Sequence, residues 1–479
     1  MIDNRYGKDY HEDEKNLLKT FLDTYMLPGV NSENQEWRDG EFVEIIMNPT
    51  CNQNCSYCYI ARYGHELYPA HTRADADTQA HNFELLINYF FERKIMIRAW
   101  EIYGGDLFHD EIFWKILDIF YEKYKYLYEN QKYLFESPND DRPIEIIVPN
   151  NLSYFYNQEV QNKFYEYRDR LYKEAHIVIG LSWSTDGAFA VDDREKRVLP
   201  DDYWDVMFKF ARSVNAGVHP MIAPENIENW IQNYDWWMEM FRKYNFDDSD
   251  EHFQPPMLEV RNDEWTDERI QHYRNLIKHI FIKRFEMNDN DVYKMARHYF
   301  VGDGREGSLP HAPQMDPIGF DASPKVGHNE RMSCSIQEQL HIVLSDLSIV
   351  PCHRTSYPFM KAGHFIVEND KIIDIKPHNV ALFIEIVSTP VNMLPKCFNC
   401  VYKNVCMRGC FGAQYEASGE IFMPAESVCK MLGSKFDLLI QLLNEYGVLQ
   451  CAIDNNFIPD SQKSYYFSRS EEMGYKLNG

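Results

Sequence analysis

From residue 41 onward, short β-rich apolar runs alternate with longer helical stretches. The short runs predict six β-strands, at residues 41–48, 96–105, 143–150, 176–184, 217–224 and 255–260. The longer stretches predict helices at residues 74–94, 110–137, 155–175, 201–215, 226–244 and 266–300. Strands that alternate with long helices are typical of repeated βα units around a parallel sheet. We therefore predict an α/β fold.

Four of the predicted strands end at unusual loops. These loops are the cysteine-rich segment 51–58, "YGGD" at 103–106, "PNN" at 149–151 and "STDG" at 184–187. In parallel sheets and barrels, functional sites lie beyond the C-terminal ends of the strands. We therefore expect these four loops to form one site.

A break in the pattern divides the chain. Residues 303–332 are rich in Gly, Pro and polar residues, and we predict a linker there. The predicted organisation is an N-terminal extension (1–40), a first domain (41–302), the linker, a cysteine-rich domain (333–430), and a C-terminal helix and tail (431–479).

The net charge and the absence of a long apolar run exclude some classes of binding partner. The chain has 49 Lys and Arg against 74 Asp and Glu, which gives a formal charge of −25. Such a surface repels phosphate backbones, so we expect no nucleic-acid partner. No apolar run approaches 18 residues and the N-terminus lacks a signal-like apolar segment, so we expect a cytoplasmic protein without a membrane partner. In such a protein the eleven cysteines are expected to be metal ligands rather than disulfides.

Three cysteines crowd one loop directly after the first predicted strand, as Cys51-x3-Cys55-x2-Cys58. A structural zinc site is the simplest interpretation, but zinc normally takes four protein ligands, and the loop has no fourth Cys or His. Three thiolates can instead hold a [4Fe–4S] cluster and leave its fourth iron open to another ligand.

This loop resembles the signature of the radical S-adenosylmethionine (SAM) superfamily, with Tyr57 at the aromatic position before the last cysteine. The resemblance implies a partial (β/α)6 TIM-type barrel. It also implies that SAM chelates the open iron, and that reductive cleavage gives a 5′-deoxyadenosyl radical. In such enzymes the cofactor carries the chemistry, while the protein positions and seals the site.

The later strand ends resemble further motifs of that family. "YGGDLF" resembles the Gly-Gly-acid motif that meets the SAM ammonium group. Gly104 and Gly105 would let the backbone approach closely, and Asp106 would supply the carboxylate, where Glu is the commoner residue.

Two more strand ends carry cofactor-binding candidates. Asn150 stands where relatives have a Thr-Asn-Gly motif. "SWSTDG" resembles a Ser-x-Asp-Gly loop, which makes Ser184 the candidate ribose contact and adds Asp186. Either Arg194 or Arg197 would meet the SAM carboxylate.

A second cysteine set lies in the C-terminal part, and its segment "CFNCVYKNVCMRGC" resembles the SPASM domain of peptide-modifying radical SAM enzymes. "DLSIVPCHR" likewise resembles the β-hairpin of that domain, with Leu347 where the family usually has glycine. The resemblance implies two auxiliary [4Fe–4S] clusters, and so three clusters in all. The inner cluster would be held by Cys334, Cys352 and Cys410, and the outer one by Cys397, Cys400, Cys406 and Cys429.

The inner set has three cysteines rather than four. Some relatives have another cysteine where this chain has His328, so either His328 is a ligand or the fourth iron is open to water or substrate. Two interleaved zinc sites are the structural alternative for the whole set. Cys451 stands apart and is interpreted as a buried thiol.

The reaction remains open between branches of this family. Sulfatase maturases have an acidic proton acceptor directly after the second SPASM cysteine; here the position is His353, which can accept a proton near neutral pH or hydrogen-bond a cluster sulfur. The other branch modifies peptides by oxidation or cross-linking. We expect that branch, with a peptide or protein substrate and an electron donor such as ferredoxin or flavodoxin. The alternatives are sulfatase-maturase-like oxidation, a radical SAM enzyme acting on a small molecule, and a non-enzymatic iron–sulfur or zinc scaffold.

Leader recognition is a separate question. About forty residues precede the first predicted strand, too few for a complete leader-binding domain. We therefore expect any leader recognition to use a separate leader-binding protein, the acidic surface or the C-terminal tail.

Overall fold

A computed structural model gives the structure of the chain. It describes residues 8–27, 36–47, 49–105, 107–108, 111–137, 140–189, 199–218, 220–246, 257–258, 265–301, 336, 339–389, 393–403, 406, 410–458 and 460–478. The chain divides into two compact units. The first comprises Met1–Ser184, Arg197–Val218 and Cys334–Ser388, and the second comprises Thr185–Lys196, His219–Ser333 and Thr389–Gly479.

The described strands follow the predicted order along the chain. They are β1 Arg38–Ile46, β2 Ile95–Tyr103, β3 Glu136–Ser137, β4 Asp140–Asp141, β5 Ile144–Asn150, β6 Ile177–Trp183, β7 Gly217–Val218, β8 Met221–Ile222, β9 Met257–Leu258, β10 Gln339–Val343, β11 Ser348–Val350, β12 Gly363–Glu368 and β13 Lys371–Pro377.

The described helices alternate with these strands and dominate the C-terminal part. They are α1 Lys8–Tyr25, α2 Tyr59–Leu67, α3 Ala76–Glu92, α4 Ile112–Asn130, α5 Gln158–Ala175, α6 Tyr203–Val214, α7 Trp230–Lys243, α8 Asp267–Met287, α9 Val292–Phe300, α10 Val380–Ser388, α11 Phe411–Ser418, α12 Glu426–Glu445, α13 Val448–Asp454 and α14 Asp460–Glu472. No helix in the described ranges is both long and apolar enough to cross a membrane.

One nine-stranded sheet forms the centre of the first unit, in the order β13-β12-β11-β10-β1-β2-β5-β6-β7. The six strands from β10 to β7 are parallel to one another, whereas β10, β11, β12 and β13 pair in antiparallel fashion. Strand β1 lies in the interior of this sheet, and its Val43, Ile45 and Ile46 are almost completely buried. Strands of parallel sheets are typically covered in this way on both faces. The predicted α/β class with a parallel-strand core is confirmed.

Strand β10 joins the sheet at a place that the alternating pattern does not predict. It pairs in parallel with β1, so that Ile342 lies beside Ile45. It also forms an antiparallel hairpin with β11, where Ile342 lies beside Ile349. The hairpin around "DLSIVPCHR" is therefore present, and it places β11, the strand before Cys352, on the other side of β10 from β1.

Large aromatic side chains fill the space between β2 and the neighbouring helices. Trp100 of β2 is fully buried and donates its indole N–H to the hydroxyl of Tyr124, at 3.0 Å. Phe83, Phe90 and Phe120 pack around the same indole at centroid distances of 5.4–6.0 Å. Burying rings of this size contributes strongly to the stability of the first unit.

The second unit is mainly helical and differs from the prediction in detail. The predicted helix 266–300 is two helices, because Asp289 and Asn290 adopt positive φ angles of 59° and 55° after α8. Asp291 then caps α9 by accepting hydrogen bonds from two backbone N–H groups of its first turn. The predicted strand 217–224 is also interrupted: β7 pairs with β6, and β8 pairs with β9.

Candidate functional site

The first cysteine cluster lies in the loop between β1 and α2. Cys51 is exposed, Cys55 is buried, and Cys58 immediately precedes the first residue of α2. Two hydrogen bonds hold the loop: the backbone N–H of Cys58 donates to the carbonyl of Cys55 at 3.0 Å, and that of Gln53 donates to Cys51 Sγ at 3.4 Å. The three thiols therefore belong to one compact loop directly after the central strand.

Gly105, after β2, lies directly against the start of this loop. A Cβ atom on Gly105 would be 2.1 Å from the carbonyl oxygen of Thr50 and 2.7 Å from that of Pro49. Both contacts are with backbone atoms, which cannot move aside as a flexible side chain can. Only glycine allows this approach, and the contact brings the loop after β2 against the residue that precedes Cys51.

The loop after β5 also reaches the cysteine loop. Asn151 Nδ2 donates to Asn52 Oδ1 at 3.1 Å and lies 4.0 Å from Cys51 Sγ. Asn52 in turn donates from Nδ2 to the hydroxyl of Ser153 at 2.8 Å. Two side chains from the loop after β5 thus contact the residue that follows Cys51.

Asn150 links three of the predicted loops. It is buried, and its Nδ2 lies 3.5 Å from the carbonyl oxygen of Gly105. Its own carbonyl accepts the backbone N–H of Ser184 at 2.8 Å. The ends of β1, β2, β5 and β6 therefore converge at one end of the sheet, as the strand-end pattern predicts.

The other predicted cofactor-binding residues differ in how deeply they are buried. Tyr57 is buried, whereas Gly104 and Ser184 are partly exposed. Asp186, in the second unit, is completely buried, and its carboxylate accepts the backbone N–H of Met221 at 2.8 Å. That bond gives Asp186 a structural role in its own loop. The predicted residues Asp106, Arg194, Arg197, Cys334 and His328 lie outside the described residues.

The geometry of the thiols bears on the kind of group that they could hold. Within the described ranges, no three side chains of His, Cys, Asp or Glu lie close enough together to bind one metal ion. A zinc ion needs its sulfur ligands at about 2.3 Å. Three thiols on one short loop have the donor chemistry that an iron–sulfur cluster requires.

The four predicted outer ligands surround one cavity in the second unit. This cavity has a volume of about 270 Å³. Its wall includes all four of them: Cys397, Cys400, Cys406 and Cys429. Tight turns bring the first three together, since the N–H of Cys400 donates to the carbonyl of Cys397 at 3.1 Å and that of Cys406 donates to the carbonyl of Tyr402 at 2.8 Å. Four thiols around a cavity, rather than around a point, fit a cluster with four thiolate ligands.

The structure also describes Cys352, Cys410 and Cys451, which lie outside these two groups of cysteines. Cys410 immediately precedes α11. Cys352, in the first unit, is partly buried, with its Sγ 3.2 Å from Thr355 Oγ1. The inner ligand set, which also includes the undescribed Cys334, stays a prediction. Cys451 is only partly buried, and burial raises the pKa of its thiol.

A row of ionisable side chains crosses the centre of the sheet. The strand register sets His341 of β10, Glu44 of β1 and Glu101 of β2 side by side. His353, which follows β11, reaches the same row with its Nδ1 at 2.8 Å from Glu44 Oε2. Glu44 and His341 are almost completely buried, whereas the His353 side chain is 29% exposed. The His353 side chain is therefore more exposed than those of Glu44 and His341.

Aromatic rings fix the orientation of His353. The ring of Tyr103 stacks on its imidazole at a centroid distance of 3.9 Å and an angle of 8°. Tyr59 packs at 5.7 Å, and the hydroxyl of Tyr68 donates to the carbonyl of His353 at 2.9 Å. The imidazole is thus held by a carboxylate and a stacked ring, and the backbone of His353 by the Tyr68 hydroxyl.

Burial and neighbouring charges shift the pKa values of Glu44 and His353 in opposite directions. Burial opposes ionisation of Glu44, but the neighbouring charges of His353 and His341 outweigh it and leave the pKa of Glu44 lowered. Burial also opposes protonation of His353, but Glu44 outweighs it and raises the pKa of His353. Burial lowers the pKa of His341 to about 4. Burial and the charge of Glu44 raise the pKa of Glu101 to about 7.

Sequence reasoning selected His353 but missed its partners. Glu44 and Glu101 are charged residues inside the apolar runs "EFVEII" and "IRAWEIY", which is an unusual position for a carboxylate. That signal could have identified both of them. Asn151 was also missed, although it follows the selected Asn150 directly.

Comparisons with known proteins give similarities of fold. SuiB of Streptococcus suis bound to S-adenosylmethionine matches with 12% identity and a TM-score of 0.44, over 89% of this chain and 82% of SuiB. Native anSMEcpe with bound AdoMet and the Cp18Cys peptide matches with 14% identity and a TM-score of 0.46, over 85% of this chain and 99% of that one. SuiB bound to precursor peptide SuiA matches with 13% identity and a TM-score of 0.43, over 81% and 76% of the two chains. No family model and no curated protein sequence matches the chain.

Proposed function

We propose that this protein is a radical SAM enzyme with a SPASM-type auxiliary domain, which oxidises or cross-links a side chain of a peptide or protein. The carrying observation is the convergence of the strand-end loops on the loop that contains Cys51, Cys55 and Cys58. Gly105 and Asn151 reach the same loop from the ends of β2 and β5.

The three thiols of that loop would hold a [4Fe–4S] cluster and leave one iron for SAM. When bound and reduced by an external donor, the cluster would supply the one electron that cleaves SAM to methionine and a 5′-deoxyadenosyl radical, which would abstract hydrogen from the substrate. The loop residues have a different task. Gly105 keeps the backbones in contact, and the Asn52–Asn151 hydrogen bond ties the loop after β5 to the residue that follows Cys51.

His353 is proposed as the group that accepts the substrate's proton during oxidation. Its imidazole is partly exposed on one side and held by Glu44 and Tyr103 on the other. A neutral imidazole with a fixed orientation can accept a proton, and the Glu44 carboxylate stabilises the imidazolium that results. Both residues lie in the same unit as the first cysteine loop.

The second set of thiols is proposed to carry electrons. Cys397, Cys400, Cys406 and Cys429 would hold the outer auxiliary cluster in their shared cavity. Cys334, Cys352 and Cys410 would hold the inner one, with its fourth position open or occupied by His328. We also propose a cytoplasmic setting and a separate electron donor. Because the sequence resemblance implies a peptide substrate, any leader recognition would use a separate leader-binding protein, the acidic surface or the C-terminal tail.

SAM cleavage tests this proposal directly. The anaerobically reconstituted protein, reduced with dithionite, is expected to convert SAM to 5′-deoxyadenosine, and Cys55→Ala is expected to abolish this activity. Cys451→Ala, which changes a cysteine outside all three proposed ligand sets, is the matched control and should keep it. Full cleavage by the Cys55→Ala variant, or no cleavage by the wild-type protein, would contradict the proposal.

A further inference from the structure

The two faces of the central sheet differ at β5 and β6. Ile146 and Ile179 lie on one face and are buried. Ile147 and Gly180, the next residues along the two strands, lie on the other face, where Ile147 is partly exposed and Gly180 is exposed. A Cβ atom on Gly180 would meet no closer described atom than the carbonyl oxygen of Ile146, at 3.9 Å. This second face is therefore open at β6 within the part of the chain that the structure describes.

The strand register places two carboxylates on the same open face. Glu44 of β1 pairs with Glu101 of β2. Glu101 in turn pairs with Ile147 of β5, which pairs with Gly180 of β6. Side chains at paired positions of parallel strands share a face of the sheet. The open face therefore presents one row within the first unit: two carboxylates, then an apolar side chain, then a position without a side chain.

Both carboxylates have oxygen atoms that no described residue satisfies. Glu44 uses Oε2 for its contact with His353 at 2.8 Å, but its Oε1 is buried and has no hydrogen-bond partner among the described residues. Oε1 lies 4.0 Å from Nε2 of His341, which is beyond hydrogen-bond distance. Glu101 is partly buried, and no hydrogen bond joins it to another described side chain. Carboxylate oxygens removed from water without a donor are costly, and they are typical of binding sites.

The charges of this row do not cancel. The carboxylate of Glu44 is matched by His353, its ion-pair partner. Burial keeps His341 neutral, because it lowers the pKa of that imidazole to about 4. The carboxylate of Glu101, when ionised, is therefore left without a compensating charge. One further positive charge would complete the row.

We propose that Glu101 and Oε1 of Glu44 bind the charged group of a basic side chain of the peptide substrate, while Ile147 and Gly180 receive the apolar stem of that side chain. These four residues are called the basic-residue subsite below. The inference rests on the proposed function, because it specifies which class of side chain the proposed peptide substrate presents to the open face.

The order of residues along the row identifies the kind of cation. Lys and Arg side chains have a long apolar stem that ends in a charged group with several hydrogen-bond donors. A row with carboxylates at one end and an apolar floor at the other fits such a side chain. The N-terminal ammonium group of a peptide has no stem and would leave Ile147 and Gly180 uncovered. The formal charge of −25 on the chain also favours a basic peptide.

Calorimetric titration with blocked tripeptides tests the subsite on the reconstituted full-length protein at pH 8.5. At this pH the carboxyl of Glu101, whose pKa is raised to about 7, is ionised, whereas a lysine side chain keeps its charge. The probes are acetyl-Gly-Lys-Gly-amide and acetyl-Gly-norleucine-Gly-amide, which have similar stems and differ in charge. The wild type is expected to bind the lysine probe at least tenfold more tightly, because charge-assisted hydrogen bonds are stronger than neutral contacts.

Three variants assign that preference to the subsite. Glu101→Gln is expected to remove the tenfold preference and to leave the affinity for the norleucine probe unchanged, which shows that the fold is intact. Glu145→Gln is the matched control, because Glu145 is an exposed carboxylate of β5 on the same face, and it should keep the preference. Gly180→Val would fill the open space at β6 and should weaken the binding of both probes by a similar factor.

Several outcomes would overturn the subsite. These are a wild type without preference for the lysine probe, an equal loss of preference in Glu101→Gln and Glu145→Gln, and unchanged binding of both probes by Gly180→Val. Wild-type affinity for triglycine amide equal to that for the lysine probe would do the same, because its ammonium group has no stem. The titrations need no turnover, so they are independent of catalysis. Failure of the wild type to cleave SAM with dithionite would instead overturn the proposed function.

Discussion

Nδ1 of His353 lies 2.8 Å from Oε2 of Glu44, although 309 positions separate the two residues in the chain. The contact exists because β10 pairs with β1, so that the hairpin of β10 and β11 carries His353 to the centre of the sheet. It joins the proposed proton acceptor to the strand that leads into the first cysteine loop. This relationship yields the first prediction.

Replacing Glu44 by Gln is expected to move the pH profile of product formation. Glu44 raises the pKa of His353, and a histidine accepts a proton only when it is neutral, at pH values above its pKa. Without the carboxylate that pKa falls, so the acidic limb of kcat/KM should shift to lower pH. The rate of SAM cleavage without substrate is the internal control and should not shift. An unchanged pH profile for Glu44→Gln would exclude His353 as the base held by Glu44.

Replacing Gly105 by Ala is expected to disrupt the first cysteine loop. The added methyl group would be 2.1 Å from the carbonyl oxygen of Thr50, so the backbone must shift at a cost of about 1–3 kcal/mol. We expect a lower Tm and poor iron incorporation at the first cluster. Gly64→Ala is the matched control, because its Cβ would be 3.6 Å from the nearest atom. Equal Tm and iron content in the two variants would contradict this contact.

Replacing Glu101 by Gln is expected to stabilise the protein at alkaline pH. Burial and the charge of Glu44 raise the pKa of Glu101 to about 7, above the value of about 4.3 for an unfolded chain. The folded state therefore binds this proton more tightly, and stability falls as the pH rises from about 4.3 through about 7. The neutral Gln removes this loss, so the gain in Tm should be larger at pH 8.5 than at pH 5.

Glu145→Gln provides the comparison for Glu101→Gln. Glu145 is exposed on β5, so its replacement should change Tm little at either pH. The account of Glu101 fails if its replacement gives the same change in Tm at both pH values.

Replacing Cys429 by Ala is expected to remove the outer auxiliary cluster alone. Cys429 lies on the wall of the 270 Å³ cavity with three other thiols, and burial raises the pKa of its thiol. Iron content should fall by about four per chain, while dithionite-supported SAM cleavage continues. Cys451→Ala should keep the full iron content. Loss of SAM cleavage in Cys429→Ala would argue against two separate cluster sites in the two units.

Much of the fold follows from local patterns, because strands and helices of the βα units have different apolar periods. The first four predicted strands and the convergence of their ends therefore appear in the structure, whereas the fifth is divided into β7 and β8 and only residues 257–258 of the sixth are described. The pairing of Ile45 with Ile342 could not be predicted from the sequence, because it joins positions almost 300 residues apart and no local pattern indicates it. The break between α8 and α9 was missed because Asp289 and Asn290 reverse the chain without Gly or Pro.

The cysteines of the candidate site could be predicted from the sequence, but its row of ionisable residues could not. The resemblance to the SPASM domain grouped Cys397, Cys400, Cys406 and Cys429, and these four line one cavity. The row of Glu44, Glu101 and His341 depends on the strand register, and that register is a property of the assembled sheet.

The most direct test of the central claim is the amount of iron and acid-labile sulfide per chain after anaerobic purification and reconstitution. Three [4Fe–4S] clusters require about twelve irons and about twelve sulfides. The account predicts this result for the wild type. About four of each would leave the SAM site and contradict the auxiliary clusters, and zinc without sulfide would contradict the radical SAM proposal altogether.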